Sequence, residues 1–307
     1  MGRSPKITDD YLSHFIASGH GSGFDENYQS MLEIKRWNPS PVSVQVRKAL
    51  PPFQRSCHFF SQSEWFVALL SAWTGAWVRE QYPLWPWSHH HPEFGRNFAD
   101  DASLPRSVGM LAICLEAGIR HGVFVGTGIP YIWTIDLCLT LPWIATPQRR
   151  SVLLSIKPLQ ADRYRHIDPL DRGPEKLEGE RRYALQLGVH YTVGDASLYP
   201  SVLFAQLESM VDAAFLSPTH PLQAVLHDFL AARCDRICQE SLKETLHRLQ
   251  RDWALPLSHA TFLLDHMLWH QMIDCDLSRP VRRSLPPVPG GRALKAALRN
   301  AFAGEGQ

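Results

Sequence analysis

The sequence predicts an α/β core followed by a mainly helical, winged-helix-like region. Three observations predict it. Two runs rich in β-branched and aromatic residues, YIWTIDLCLTL at 131–141 and SVLLSIK at 151–157, are joined by the turn TPQRR. A charged amphipathic segment, PEKLEGERRYALQL at 174–187, stops at Gly188 before a short strand, VHYTV at 189–193. Beyond about residue 197 the strand signal fades, and helical periodicity covers 219–238, 240–252 and 258–272.

Taken in order, residues 1–57 are polar and turn-rich, with WNPSP and LPP, and read as an irregular or partly ordered arm. Residues 61–80 carry apolar positions Trp65, Ala68, Leu69 and Ala72 at helical spacing, with Ser61 or Ser63 placed to cap them. QYPLWPWSHHHPEFG then leaves the helix, and 103–118 reads as a second helix ending at Gly118. Near the end, MIDCDLSRPVRRSLPP (272–287) has the composition of a hairpin or wing, which with three preceding helices is a winged-helix pattern, one that periodicity alone does not separate from a generic helical bundle. PPVPGG is a linker, and 293–303 a short basic helix. The expected organisation is a domain at 1–196, a helical winged-helix-like domain at 197–289 and a basic tail at 290–307.

A chain of 307 residues that is 45% hydrophobic can bury one large or two smaller cores. Its net charge of +1 excludes nucleic-acid binding by bulk charge, so a DNA-binding face must come from local clustering. Arg279, Arg282 and Arg283 form one such cluster, equally readable as a solvated turn. Six scattered cysteines without a CxxC pair fit a reducing, cytoplasmic compartment. No signal peptide or membrane-length apolar run is expected. The run His89–His91 reads as loop surface, because three consecutive residues do not readily face one ion. Cys234 and Cys238, with His227 further back, read as a helix face. Gly126–Gly128 reads as a turn, and most of the clustered tryptophans Trp65, Trp73, Trp77, Trp85 and Trp87 as core or subunit contacts, with base stacking open to some of them.

The residues with chemical content are polar groups in apolar strands. Asp136 lies inside YIWTIDLCLT and Lys157 closes LLSIK. A charge there is costly unless it is paired or bound to metal, and an ion pair across a hairpin is the simpler reading of these two alone. Glu64, on the upstream helix, adds a second carboxylate. Two carboxylates on separate elements can hold Mg²⁺ or Mn²⁺, and a nearby lysine can orient the attacking water. A helix acid, a strand Asp and a Lys on the next strand outline the PD-(D/E)xK core of restriction-endonuclease-like nucleases, a mixed sheet flanked by helices. That outline is degenerate by itself.

Four stretches make it more specific: SEWFVALLSAWTGAWVREQYPL (63–84), YIWTIDLCLTL (131–141), LLSIKP (153–158) and EKLEGERRYALQLGVHYTVGD (175–195). In order and joint occurrence they resemble TnsA, the endonuclease subunit of heteromeric transposases. The resemblance implies a Mg²⁺-dependent DNA endonuclease that cuts the 5′ ends of a transposon, with two ions per site. It implies partners too: a TnsB-like DDE transposase, a TnsC-like AAA+ ATPase and the transposon-end DNA. Glu64, Asp136 and Lys157 would be catalytic, with Glu64 and Asp136 as metal ligands. Ser155 stands where the family carries Gln or an acid, a weaker ligand, while the backbone carbonyl of Ile156 can coordinate whatever its side chain. Two alternatives stay open: a stand-alone restriction-like nuclease, and a nuclease-dead subunit bridging DNA and the ATPase. Glu80 is expected to pair with Arg79 or another basic group, or to lie in the metal's second shell.

Overall fold

Glycine and proline punctuation sets most element ends. The computed structural model describes residues 7–35, 43–96, 101–157, 172–233 and 239–304. Along them run α1 (Asp9–Ala17), β1 (Val46–Leu50), β2 (Phe53–Phe59), α2 (Gln62–Thr74), β3 (Trp77–Leu84), α3 (Met110–Glu116), β4 (Trp133–Thr140), the single turn α4 (Pro147–Arg150), β5 (Ser151–Ile156), α5 (Gly173–Leu187) and β6 (His190–Gly194). The helical remainder is α6 (Ser201–Met210), α7 (Leu222–Arg233), α8 (Leu242–Asp252), α9 (Leu257–Trp269) and α10 (Gly291–Ala303). The class is therefore mixed α/β. No helix among the described residues is long and apolar enough to cross a membrane.

The chain forms two compact units. The first holds 1–49, 55–71 and 76–196; the second holds 197–307 with two short excursions, 50–54 and 72–75. In the first, one sheet has the order β3-β4-β5-β6. β3 with β4 and β4 with β5 are antiparallel, whereas β5 and β6 are parallel. Parallel neighbours need a crossover, and α5 lies between them in sequence. Tyr183, Ala184 and Leu187 of α5 share a buried cluster with Trp133, Ile135 and Leu153 of the sheet. Gly179 counts against a helix by propensity, yet a Cβ there would lie 2.9 Å from the Trp133 ring. The missing side chain lets α5 approach the sheet, which outweighs the roughly 1 kcal/mol propensity cost.

Several expectations are corrected. Within 7–35 and 43–57 the arm is more ordered than an irregular segment: it contains α1 and a β1–β2 hairpin. Tyr28 and Ser30 dock onto β3, both donating to the Glu80 carbonyl at 3.0 and 3.4 Å. The helix expected over 61–80 ends at Thr74, because Gly75 takes φ 95°, and Trp77 onward is strand. The helix expected over 103–118 is confined to α3, preceded by a 3₁₀ turn at Asp101–Ser103. His91 is buried, not loop surface, and His89 Nε2 bonds the Tyr183 hydroxyl at 2.6 Å.

In the second unit α6 was not foreseen. Its Leu203, Phe204 and Leu207 are buried, and the SVLF start lacks a polar cap. No wing forms: 272–287 carries turns and no strand. Pro280, Pro286 and Pro287 lack the N–H a ladder needs. Gln206 replaces that ladder, donating to the carbonyls of Leu277 (2.6 Å) and Arg279 (2.9 Å) and accepting from Val281 N–H (2.7 Å). α8 opens on a Ser241/Glu244 capping box. Cys234 and Cys238 lie outside the described residues.

Candidate functional site

Ser61 and Glu64 sit at the spacing of a capping pair, and that spacing holds the Glu64 carboxylate still. Ser61 Oγ accepts from Glu64 N–H (3.1 Å) and donates to Glu64 Oε1 (3.0 Å). Oε2 accepts from Phe60 N–H (2.9 Å) and from Gln81 Nε2 (3.0 Å). A carboxylate has about four acceptor positions, so three donors leave one open.

Gln81 reaches Glu64 because its backbone breaks the strand rule. It has φ 48°, an uncommon conformation for a residue other than glycine. The β3–β4 ladder pairs Glu80 with Leu137 and Tyr82 with Ile135 but skips the step between them, where Gln81 faces Asp136. Gln81 is buried, and its Oε1 accepts from Thr134 Oγ1 at 3.2 Å.

Asp136 thus lies where β4 loosens from both neighbours, since its ladder to β5 stops at Leu137 and Leu154. Its carboxylate bridges the opening. Oδ2 accepts from Ile156 N–H (2.6 Å) and from Lys157 Nζ (2.9 Å). Lys157 also donates to the Ile156 carbonyl at 3.1 Å. The Asp136–Lys157 ion pair that two residues alone suggested is therefore present. It also gathers Asp136 Oδ2 and Ile156 O around one cationic nitrogen.

Ser155 donates to Glu180 Oε2, which also accepts from Tyr191 OH at 3.0 Å. Glu180 was missed in the sequence. The signal was available: it occupies the same α5 stripe as Tyr183, Ala184 and Leu187, an acid on an otherwise apolar face.

Burial pushes the Glu64 carboxyl up to about 7, with the nearby Asp136 charge adding to the rise and the Phe60 and Ser61 donors opposing it. Burial also lifts Glu180 to about 7, against the Ser155 hydrogen bond, with Asp136 raising it further. A raised acid binds protons more tightly folded than unfolded, so it stabilises the fold below its ordinary value of 4.5, and that stability is lost as pH rises towards 7. We therefore expect metal-free protein to lose roughly 3 kcal/mol through Glu180 across that window. Glu180→Gln should flatten the fall in denaturation experiments, and an unchanged pH profile would contradict it.

Among the described residues, no three His, Cys, Asp or Glu side chains are grouped as a metal site. Glu80 lies apart from this chemistry. It pairs with Arg55 at 2.6 Å, not with Arg79, whose partner is Glu93 at 3.3 Å. Arg279 and Arg283 pair with Asp276 and Asp265, both at 3.3 Å, and Arg282 is exposed. All three belong to the second unit.

No protein-family model matches the chain, and no curated protein matches it in sequence.

Proposed function

We propose that this chain is the metal-dependent DNA endonuclease subunit of a TnsA-type cut-and-paste transposase, hydrolysing phosphodiester bonds at the 5′ ends of the element. The observation that carries the reading is the convergence of Asp136 Oδ2 and the Ile156 carbonyl on the Lys157 ammonium, beside the buried Glu64. Oxygen donors around a positive charge are what Mg²⁺ or Mn²⁺ requires. A buried carboxyl such as Glu64, whose proton affinity burial and the nearby Asp136 charge both raise, is also relieved by a divalent cation. The donor set therefore fits, with Asp136, Glu64 and the Ile156 carbonyl as the groups that would hold the ions.

Once bound, a divalent cation supplies charge neutralisation at the phosphate and a more acidic water. The chain's own residues do the rest. Gln81 and Ser61 fix the Glu64 carboxylate, and the Ile156 N–H fixes Asp136. Lys157, half-exposed beside Asp136, is placed to orient the attacking water or to meet charge growing on the phosphate. Ser155 does not act alone in this reading: Glu180 brings a carboxyl to its hydroxyl, where the family carries Gln or an acid. The partners are transposon-end DNA, a DDE transposase and an AAA+ ATPase. The restriction-endonuclease-like assignment of the first unit belongs to the same proposal.

Lys157→Ala tests the role of the lysine. Cleavage in the assembled complex should fall by about 10²- to 10⁴-fold while Mn²⁺ affinity holds or rises, because a competing ammonium is gone. A matching loss of metal affinity would make Lys157 structural instead. The second reading, a subunit that bridges DNA and the ATPase without cutting, is favoured by one observation: the lysine already neutralises Asp136.

A further inference from the structure

Beside Glu180 the first unit opens into a cleft of about 280 Å³. Tyr131, Trp133, Thr134, Arg172, Lys176 and Glu180 line it. Its chemistry is uneven. Among the described residues that line it, two cations stand at the start of α5, two aromatic rings come from the start of β4 and its approach, and the acid is the buried Glu180. Arg172 is held in place, donating to Glu175 Oε2 at 3.2 Å and to the Arg120 carbonyl. Lys176 is exposed, and Tyr131 shows 40% of its surface. His121 stacks on Trp133 with ring centroids 5.6 Å apart, so the indole wall is braced.

Two links join the cleft to the site already described. Glu180 in its wall holds Ser155, and Thr134 in its wall holds Gln81, which in turn holds Glu64. An occupant of the cleft therefore meets the residues that hold Ser155 and Gln81 of the proposed site. Cations beside an aromatic face are the two elements that bind a nucleic-acid strand: charge for the phosphate and a ring for the base.

We propose that this cleft binds one nucleotide of the DNA strand adjoining the cleaved phosphodiester, its phosphate on Arg172 and Lys176 and its base on Tyr131. The inference rests on the endonuclease reading for its choice of strand, but it concerns binding and not hydrolysis. Its volume lies near the lower end of small-ligand pockets, which suits one nucleotide and not a duplex. The cations and the ring make different demands, so they are separable experimentally.

The test is fluorescence anisotropy with a labelled single-stranded oligonucleotide and the full chain, in EDTA so that no cleavage occurs, over a series of salt concentrations. Arg172→Ala with Lys176→Ala should reduce the slope of log affinity against log salt by about 1.4, the loss of two phosphate contacts on a single strand. Tyr131→Leu should weaken binding by about tenfold at unchanged slope, and an abasic nucleotide at the contacted position should erase that difference. Lys176→Glu alone, at an exposed position, guards against a folding defect in the double variant. It should lower both affinity and slope. Variants that bind with wild-type affinity and slope overturn the inference, as does absence of binding by the wild type at low salt. Equal competition by thymidine monophosphate would reassign the cleft to a free nucleotide and likewise overturn it. The two readings fail separately. Cleavage that depends on Asp136, together with wild-type binding by the cleft variants, removes only the cleft. Lost binding in the cleft variants, with no cleavage under any condition, removes only the nuclease.

Discussion

Asp136→Ala is expected to abolish 5′-end cleavage in the assembled transposase while leaving the fold intact. The rate should fall by at least about 10³-fold, the scale seen when a preorganised charge stabiliser is removed. The reasoning starts from what the carboxylate touches. It accepts from Ile156 N–H and Lys157 Nζ, and it lies where β4 has lost its ladder to β5. Glu64, the other carboxylate of the donor set, is held by its own three donors and does not move to take the place of Asp136. The structural cost is smaller. The side chain keeps 17% of its surface in contact with solvent, so water can reach the freed Ile156 N–H. That limits destabilisation to about 1–3 kcal/mol. Asp136→Asn separates the two effects, since an amide oxygen still accepts from Ile156 but carries no charge. It should be nearly as inactive and more stable than the alanine variant. The measurements are strand-specific cleavage at the transposon end and a thermal melt of the purified subunit. Full cleavage by Asp136→Ala would sink the endonuclease assignment.

Glu80→Ala should produce the largest loss of stability, roughly 3–5 kcal/mol. Glu80 is fully buried, and its carboxylate takes two hydrogen bonds from Arg55 at 2.6 and 2.9 Å and one from His58 N–H at 3.2 Å. The Arg55 side chain is only 8% exposed. Removing the acid strands a buried guanidinium, and the cost lies in that uncompensated charge more than in the pair's net worth. The same strand position carries the carbonyl on which Tyr28 and Ser30 dock, so loosening β3 here should also release the N-terminal segment. Urea denaturation monitored by tryptophan fluorescence would read the loss. A change below about 1 kcal/mol would mean the pair is solvated in solution and does not organise this corner.

Glu80 and Glu64 illustrate how far sequence reasoning reaches. Both are acids on the stretch 63–84, and nothing in the local pattern separates a structural acid from a site acid. The resemblance implies Glu64 as a metal ligand, whereas for Glu80 the sequence leaves open a basic partner or a place in the metal's second shell and does not name Arg55. Arg55 lies in what looked like an irregular arm and comes to Glu80 only through the hairpin of β1 and β2. Glu180 shows the converse. Its position on an apolar helix stripe was legible, yet its meaning depended on which strand residue α5 covers, and that residue is Ser155. The departure at 155 that weakened the site on paper is accompanied by a carboxyl from another element.

The wing failed for a related reason. Turn-rich composition fits a hairpin as well as an anchored loop, and three prolines together with the reach of Gln206 decided for the loop. The strand run through Trp77–Leu84 was hidden because its first half continues the apolar periodicity of α2. Only Gly75, in its left-handed conformation, marks the break.

The sequence by itself determined the α/β class, the strand bearing Asp136 and the one that ends just before Lys157, and the helix at 174–187 with its stop at Gly188. Each follows from local patterning of apolar, charged and turn-forming residues. Tertiary structure alone decided the partner of Glu80, the arrival of Glu180 at Ser155 and the left-handed Gln81 that carries Glu64 its hydrogen bond. Those are contacts between elements distant in sequence. Local pattern cannot specify them, because burial and hydrogen-bond satisfaction are properties of the packed whole.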